Sequence, residues 1–328
     1  MSFTWKSALE ELERRRERAR QLGGERRVNR AHEQGRYTIR ERIARASTSF
    51  QEVGELAAYQ DVDATGRLLG TLPASYVCGL AEFAGRTVAM GGEDFTVRGG
   101  APQTYLDRPK GGLGGFVEDL AHEYRIPLIL FLEGIGGDVA AQAEKGHSYL
   151  VSSLSMQRSI LLMGEVPVLA MVSGAAVGGT AGRTVLSHFS VMTKDSVIFA
   201  GGPPLVKRAL GLDLDKFELG GAKVHTAVGT VDNIAEDEDD AIAQMQTVLG
   251  YLPQNVYELP PRGDRSDPVD RRAEELLDII PENRRSPYKV DRVIKAIVDR
   301  ESFFEVGPKW GRSVTTGFAR LDGVPVGV

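Results

Sequence analysis

Apolar positions along this chain follow two periods. Near the start, Trp5, Leu9 and Leu12 recur at helical spacing among charged residues, which predicts an outer amphipathic helix over 4–21. From Ser49 the texture changes. SFQEVGEL, YVCGLAEFAG and RTVAMGGEDFTV alternate and are separated by glycines, so they read as strands. A glycine-rich loop (99–115) and a helix (116–124) lead into IPLILFLEG, a fully apolar buried strand. A glycine turn (134–137) and a helix over 140–164 follow. Val166–Val172 is the next buried strand, and the small-residue stretch SGAAVGGTAG comes directly after it. Arg183–Val191 then reads as regular structure, SVIFAGGPP as a strand ending in a turn, 206–229 as helix then loop, and 237–250 as a helix opened by acids.

Strand, glycine turn, helix and strand in succession are βαβ logic, so part of the sheet is parallel. Residues 252–272, rich in proline and charge, read as a linker. Beyond it the chain repeats itself. Tyr37-TIRERI recurs as Tyr288-KVDRVI. Ser49-FQEVG recurs as Ser302-FFEVG. Cys78-GLAEFAGRTVA is echoed by Thr316-GFARLDGVPVG, with Gly79/Gly317, Ala81/Ala319, Gly85/Gly323 and Val88/Val326 aligned. The expected organisation is a first domain over 1–251 with a helical arm at 1–45, the linker, and the opening of a similar second domain over 273–328. The sequence in hand is expected to be a fragment of a two-domain protein or a truncated product.

Composition adds limits. The charged fraction of 26% and hydrophobic fraction of 42% suit a globular protein, and a net charge of −5 points away from nucleic acid. A single cysteine, Cys78, excludes a disulfide framework and a cysteine-ligated zinc site, and suggests a reducing, cytoplasmic setting. No apolar run reaches membrane-span length. Residues 1–45 hold 13 Lys/Arg against 7 Asp/Glu, an excess read as a solvated face rather than an anion or partner site. The EDEDD run suits a helix start better than a metal site.

No standard side-chain constellation emerges. The GIGGDV turn lacks the spacing of a dinucleotide fingerprint, and there is no P-loop. Ser187 and His188 are adjacent and would point apart, so they form no dyad. Three glycine turns after buried strands remain, at 99–100, 134–137 and 174–179. Taken alone, the last is a packing corner as readily as an oxyanion site. Together the three suit chemistry done by backbone N–H groups on a bound carbonyl.

SGAAVGGTAG, FAGGPPLVKRALG and ELGGAKVHTAVG, in that order, resemble the carboxyltransferase β-subunits of biotin-dependent acyl-CoA carboxylases of the propionyl-CoA carboxylase type. YTIRERIARA, DFTVRGG and ELLDIIPENRRSPYKV extend the resemblance over nearly the whole chain. It implies an α/β, crotonase-like (ClpP/crotonase) ββα superhelix, with the start of a second such domain. It implies transfer of a carboxyl group from carboxybiotin, delivered on a separate carrier, to the α-carbon of a coenzyme A thioester, with no metal in this chain. Gly178 and Gly179 fall on the family's oxyanion pair. Arg98, Gly99, Gly100, Lys110, Gly134, Ile135, Gly136, Gly137, Ala176 and Val177 fall beside the acyl-CoA. Biotin carboxylase and biotin carboxyl carrier subunits are the implied partners, together with a hexamer built from dimers.

The chain departs from the family pattern in places. Its turn reads EGIGGDV where the family has SGGAR, so Glu133 and Asp138 appear and the arginine is gone. Ala175-Ala176-Val177 replace Pro-Cys-Ala. An atypical acyl pocket is the expectation. An acyl-CoA decarboxylase component and a non-catalytic acyl-CoA-binding scaffold are the alternatives.

Overall fold

The computed structural model describes residues 5–63, 65, 68–100, 116–136, 157–283 and 285–328. Helices α1 (Trp5–Arg20), α2 (Glu25–Glu33) and α3 (Ile39–Ala46) open the chain. Strands β1 (Ser49–Glu52), β2 (Ala58–Val62), β3 (Leu68–Pro73), β4 (Tyr76–Phe83) and β5 (Arg86–Glu93) follow. Next come α4 (Phe116–Tyr124), β6 (Leu128–Gly134), α5 (Gln157–Leu162), β7 (Val168–Val177), α6 (Gly179–Val185), β8 (Phe189–Thr193) and β9 (Val197–Phe199). Helices α7 (Pro203–Leu210), α8 (Lys216–Gly220) and α9 (Ala222–Ala227) lead to β10 (Asn233–Ala235) and α10 (Glu238–Tyr251). The last elements are α11 (Leu276–Ile279), α12 (Val290–Ile297), β11 (Phe304–Glu305), β12 (Gly317–Leu321) and β13 (Val324–Gly327).

The main sheet runs β1-β4-β5-β6-β7-β8-β10, with β9 joined to the far end of β7. Pairings are antiparallel from β1 to β5 and parallel from there on. Strand β6 is buried along its whole length because helices cover both faces of a parallel sheet. Its side chains alternate between the two faces. Ile129 and Phe131 join Met90, Leu169, Met171 and Phe189 beneath α3 and α10. Leu128, Leu130 and Leu132 join Val168, Ala170 and Val172 on the opposite face, where α4 and α5 lie.

The apolar run that begins at Val166 stays in strand conformation to Val177, five residues past the predicted end. The continuation follows from a change of neighbour. Val172 pairs with Met192 of β8, whereas Ala175–Val177 pair with Val197–Phe199 of β9. A register shift in β6 between Leu132 and Gly134 accompanies the change. Of the helix expected over 140–164, the described part is Gln157–Leu162.

Most of the arm's cations, Arg14, Arg15, Arg18, Arg20, Arg26, Arg27 and Arg30 among them, lie on an exposed face as expected, but a few near α3 turn inward to acids. Arg42 is 1% exposed. Its Nε lies 2.6 Å from Glu238 and an Nη lies 2.7 Å from Glu133. Arg45 holds Asp239 at 2.6 Å, and Arg36 also reaches Glu133. Glu238 and Asp239 at the start of α10, and Glu133 at the end of β6, therefore receive arginines of the arm.

The sequence repeat is also a structural repeat. β11, β12 and β13 form an antiparallel sheet in the order of β1, β4 and β5. The register is conserved between the copies. Glu52 faces Gly79 and Glu305 faces Gly317. Ala81 faces Val88 and Ala319 faces Val326. The hairpin turns match, with Gly85 and Gly323 both at φ +73. This second unit packs against the first core. Phe304 meets Phe189 edge-to-face at 5.8 Å, and Phe318 stacks on Tyr251 at 5.6 Å. The 252–272 segment carries no helix or strand, and it is docked rather than free. Arg320 bonds the Pro261 carbonyl at 3.0 Å, and Arg271 bonds the Val298 carbonyl at 2.7 Å.

Candidate functional site

The carboxyl ends of β5, β6 and β7 lie side by side, as the parallel pairing of these strands requires. The turns that follow them therefore meet. Arg98, Gly99 and Gly100 all have left-handed φ, which lets the chain double back over β6. The Gly99 carbonyl accepts the Ile135 N–H at 3.0 Å. Gly100 lies so close that a Cβ there would stand 2.4 Å from the Glu133 carbonyl oxygen. Gly134 pairs with Ala176, and a Cβ on Gly136 would lie 3.0 Å from the Val177 carbonyl. The structure thus gathers Arg98–Gly100, Gly134–Gly136 and Ala176–Gly179 at one end of the sheet. Lys110 and Gly137 lie outside the described residues.

The elbow occupies only the last part of the small-residue stretch. Gly178 adopts φ 64 and ψ −117, a conformation open essentially to glycine. Its N–H donates to the Phe199 carbonyl at 3.0 Å, and its carbonyl accepts from Gly182. Gly179, at the first helical position of α6, has an N–H with no acceptor among the described residues, as expected at a helix start. A Cβ on Gly179 would meet nothing within 4 Å among the described residues. Ile135 is exposed beside Gly99, and Val177 is half-buried. Among the described residues, the end of the sheet therefore presents an unpaired amide flanked by close-packed backbone.

The earlier half of the stretch is a packing device. A Cβ on Gly174 would stand 2.0 Å from Glu133 Oε1. Glu133 is 2% exposed and turns under the sheet to Arg36 and Arg42. Burial by itself would weaken the Arg42 charge, but Glu133 and Glu238 hold its guanidinium above its ordinary pKa.

A second buried charged group lies beside the turns, and sequence reasoning did not find it. Arg183 of α6 reaches Glu93 of β5 at 3.2 Å, the Tyr76 hydroxyl at 3.1 Å, and the Glu118 carboxylate. Burial pushes the Glu93 carboxyl above its usual range, with Arg183 opposing the shift. Burial also raises the Tyr76 phenol. The only sequence signal was charge at the ends of apolar strands. Ser187 and His188 bind separate backbone partners, Thr184 and Met163, and form no dyad. Among the described residues, no group of three or more His, Cys, Asp or Glu could hold a metal ion, and no helix is long and apolar enough to cross a membrane.

A mixed sheet with glycine turns gathered at its carboxyl ends defines a crotonase-like α/β protein. The fold agrees with transcarboxylase 12S, solved as a hexamer assembly with hydrolysed methylmalonyl-coenzyme A bound. The TM-score is 0.86 at 29% identity, over 100% of this chain and 64% of that one. The carboxyl transferase domain matches residues 30–328, and the chain belongs to that family. It is 32% identical to a propionyl-CoA carboxylase carboxyltransferase subunit of Haloferax mediterranei, covering 99% of this chain and 63% of that protein. It is 33% identical to the methylmalonyl-CoA decarboxylase subunit alpha of Veillonella parvula, covering 93% and 60% respectively. The chain thus spans about three fifths of the length of these relatives.

Proposed function

We propose that the chain is the carboxyltransferase component of a biotin-dependent acyl-CoA carboxylase. In this reading it receives a carboxyl group from carboxybiotin on a separate carrier and places it on the α-carbon of an acyl-CoA. The observation that carries the reading is the Gly179 N–H, unpaired among the described residues, at an elbow whose Val177 and Gly178 pack against Gly136, in a chain of this family. The α-proton passes to the biotin nitrogen that has released its carboxyl group, which turns the thioester into an enolate with charge on its oxygen. A fixed N–H aimed at that oxygen stabilises the enolate, and one such donor is worth about 3–4 kcal/mol. Gly178 supplies the turn, its own N–H being held by Phe199, and Gly179 supplies the donor. Arg98, Gly99 and Gly100 border the same end of the sheet and are assigned to the coenzyme A side. Ile135, Ala176 and Val177 are assigned to the acyl side. Carboxybiotin supplies the activated carboxyl group, and biotin carboxylase and biotin carboxyl carrier subunits are the proposed partners. Residues 273–328 are read as the opening of a second domain of the same kind, supported by the shared register of the two small-sheet repeats.

The similarity to a decarboxylase subunit favours a second reading, in which the same enolate forms when an acyl-CoA carrying a carboxyl group at its α-carbon loses it to biotin. One experiment separates the two. The full assembly is given carboxylated carrier with a panel of acyl-CoAs, and free-biotin carrier with malonyl-type CoAs. Net carboxylated product identifies the first direction, and net carboxylated carrier the second. A Gly179→Leu variant that keeps full turnover in both assays would remove the oxyanion assignment.

A further inference from the structure

Helix α6 has seven residues, and its glycine cap makes no side-chain bond. A helix this short has little stability of its own, so tertiary contacts must fix where it starts. Arg183 lies four residues after Gly179, on the same face one turn along. Its guanidinium is held by carboxylates from two other elements, Glu93 at the end of β5 and Glu118 on α4, and by the Tyr76 hydroxyl at the start of β4. The second oxygen of Glu93 accepts the N–H of Glu133 at 3.3 Å. Glu133 is the residue before Gly134. One buried carboxylate therefore touches both parts of the site, with Oε2 on the β6 turn and Oε1 on the elbow helix.

The arrangement is a poor investment in stability alone. Arg183 Nε and Glu118 Oε2 are buried with no partner among the described residues. Buried ion pairs of this kind seldom stabilise more than apolar side chains of equal volume would. Their use is in fixing geometry.

The geometry points to Arg183 and Glu93 as a positioning pair that sets the Gly179 N–H against the Gly134–Gly136 turn. The inference rests on the acyl thioester being bound at this elbow. Neither residue touches the reacting atoms. They act through the backbone they hold, and a displacement of about 1 Å at a reacting centre costs about 10²-fold in rate.

The test uses the full assembly with Arg183→Met, Arg183→Lys and Glu93→Gln. Arg183→Met is expected to lower kcat by about 10²-fold with KM for acyl-CoA unchanged. Amide exchange should accelerate at 133–136 and 178–186 while the β6 and β7 core stays protected. Arg183→Lys should recover part of kcat. Glu93→Gln, which keeps one of its two contacts, should fall between Arg183→Met and the wild type. Unchanged kcat or unchanged exchange at the two turns would overturn the pairing. So would a loss of kcat matched by equal changes in KM and melting temperature. If Arg183→Met does not fold, Glu93→Gln carries the same criteria. If the wild type turns over no acyl-CoA, the proposed function fails, while the exchange rates still decide whether Arg183 fixes the elbow.

Discussion

The Glu133 carboxylate fills the space a side chain at Gly174 would need, 2.0 Å from the position of its Cβ. Two residues 41 apart in sequence are thereby made to depend on each other. Gly174 exists to let a buried carboxylate pass beneath β7 to Arg36 and Arg42. Gly174→Ala should displace that carboxylate and break its pairing, at a cost of about 3–5 kcal/mol. Chemical denaturation measures the loss. In a Glu133→Ala background the same substitution should cost far less, because the space is already vacant. Additive losses would show that the two sites are independent.

The two elbow glycines should separate cleanly. Gly178→Ala forces a side chain into φ 64 and ψ −117, and should destabilise the protein by about 1–3 kcal/mol. Gly179 has ordinary φ and open space around it among the described residues. Gly179→Leu should leave the melting temperature close to wild type and abolish acyl-CoA turnover. A variant that melts early and keeps its activity would reverse these assignments.

Asp94 is fully buried. One oxygen accepts both the N–H and the hydroxyl of Thr96, and the other has no partner among the described residues. Burial lifts its carboxyl above the ordinary value, with the Thr96 bonds opposing. A carboxyl raised in the folded state contributes stability below its unfolded pKa, about 3.9, and loses it as pH rises through the folded value. Asp94→Asn lacks this titration. Its stability relative to wild type should therefore improve as pH rises across about 4 to 7. Urea midpoints along that range provide the check, and a flat difference would show that Asp94 does not titrate there.

The repeat offers a test of integration. A Cβ on Gly79 would meet the Gln51 carbonyl at 2.1 Å, and one on Gly317 would meet the Phe304 carbonyl at 2.2 Å. Gly317→Ala should pry β11 from β12 and cost about 1–3 kcal/mol. Phe304 and Phe318 pack on the first core, so the loss should lower one cooperative transition for the whole chain. A separate, smaller transition moving alone would mean that the second unit folds by itself.

Much of this was legible in the chain. The β6 run, the helix at 116–124 and the glycine turns carry local signals of period and conformation. The repeat even carried its register, since Gly79 and Gly317 face Glu52 and Glu305 because each strand passes too close for a side chain. The length of β7 was not legible, because Ser173–Val177 are held in strand by β9, which lies 20 residues further on. The use of the N-terminal arginines was equally hidden. A charged helix face looks the same whether it meets water or the acids of α10.

The sequence by itself determined the apolar cores of the buried strands, the glycines that let backbones meet beyond them, the internal repeat, and the resemblance to carboxyltransferases. Each of those features is read from short local patterns, even where two copies of a pattern lie far apart in the chain. Only the tertiary structure decided that Gly178 gives its N–H to Phe199 while that of Gly179 has no acceptor among the described residues. It alone put Glu133 under Gly174, and set Arg183 on Glu93 from 90 residues away. The choice of partner for a buried charge is made by whichever opposite charge the packed sheet brings within reach, and no local pattern records it.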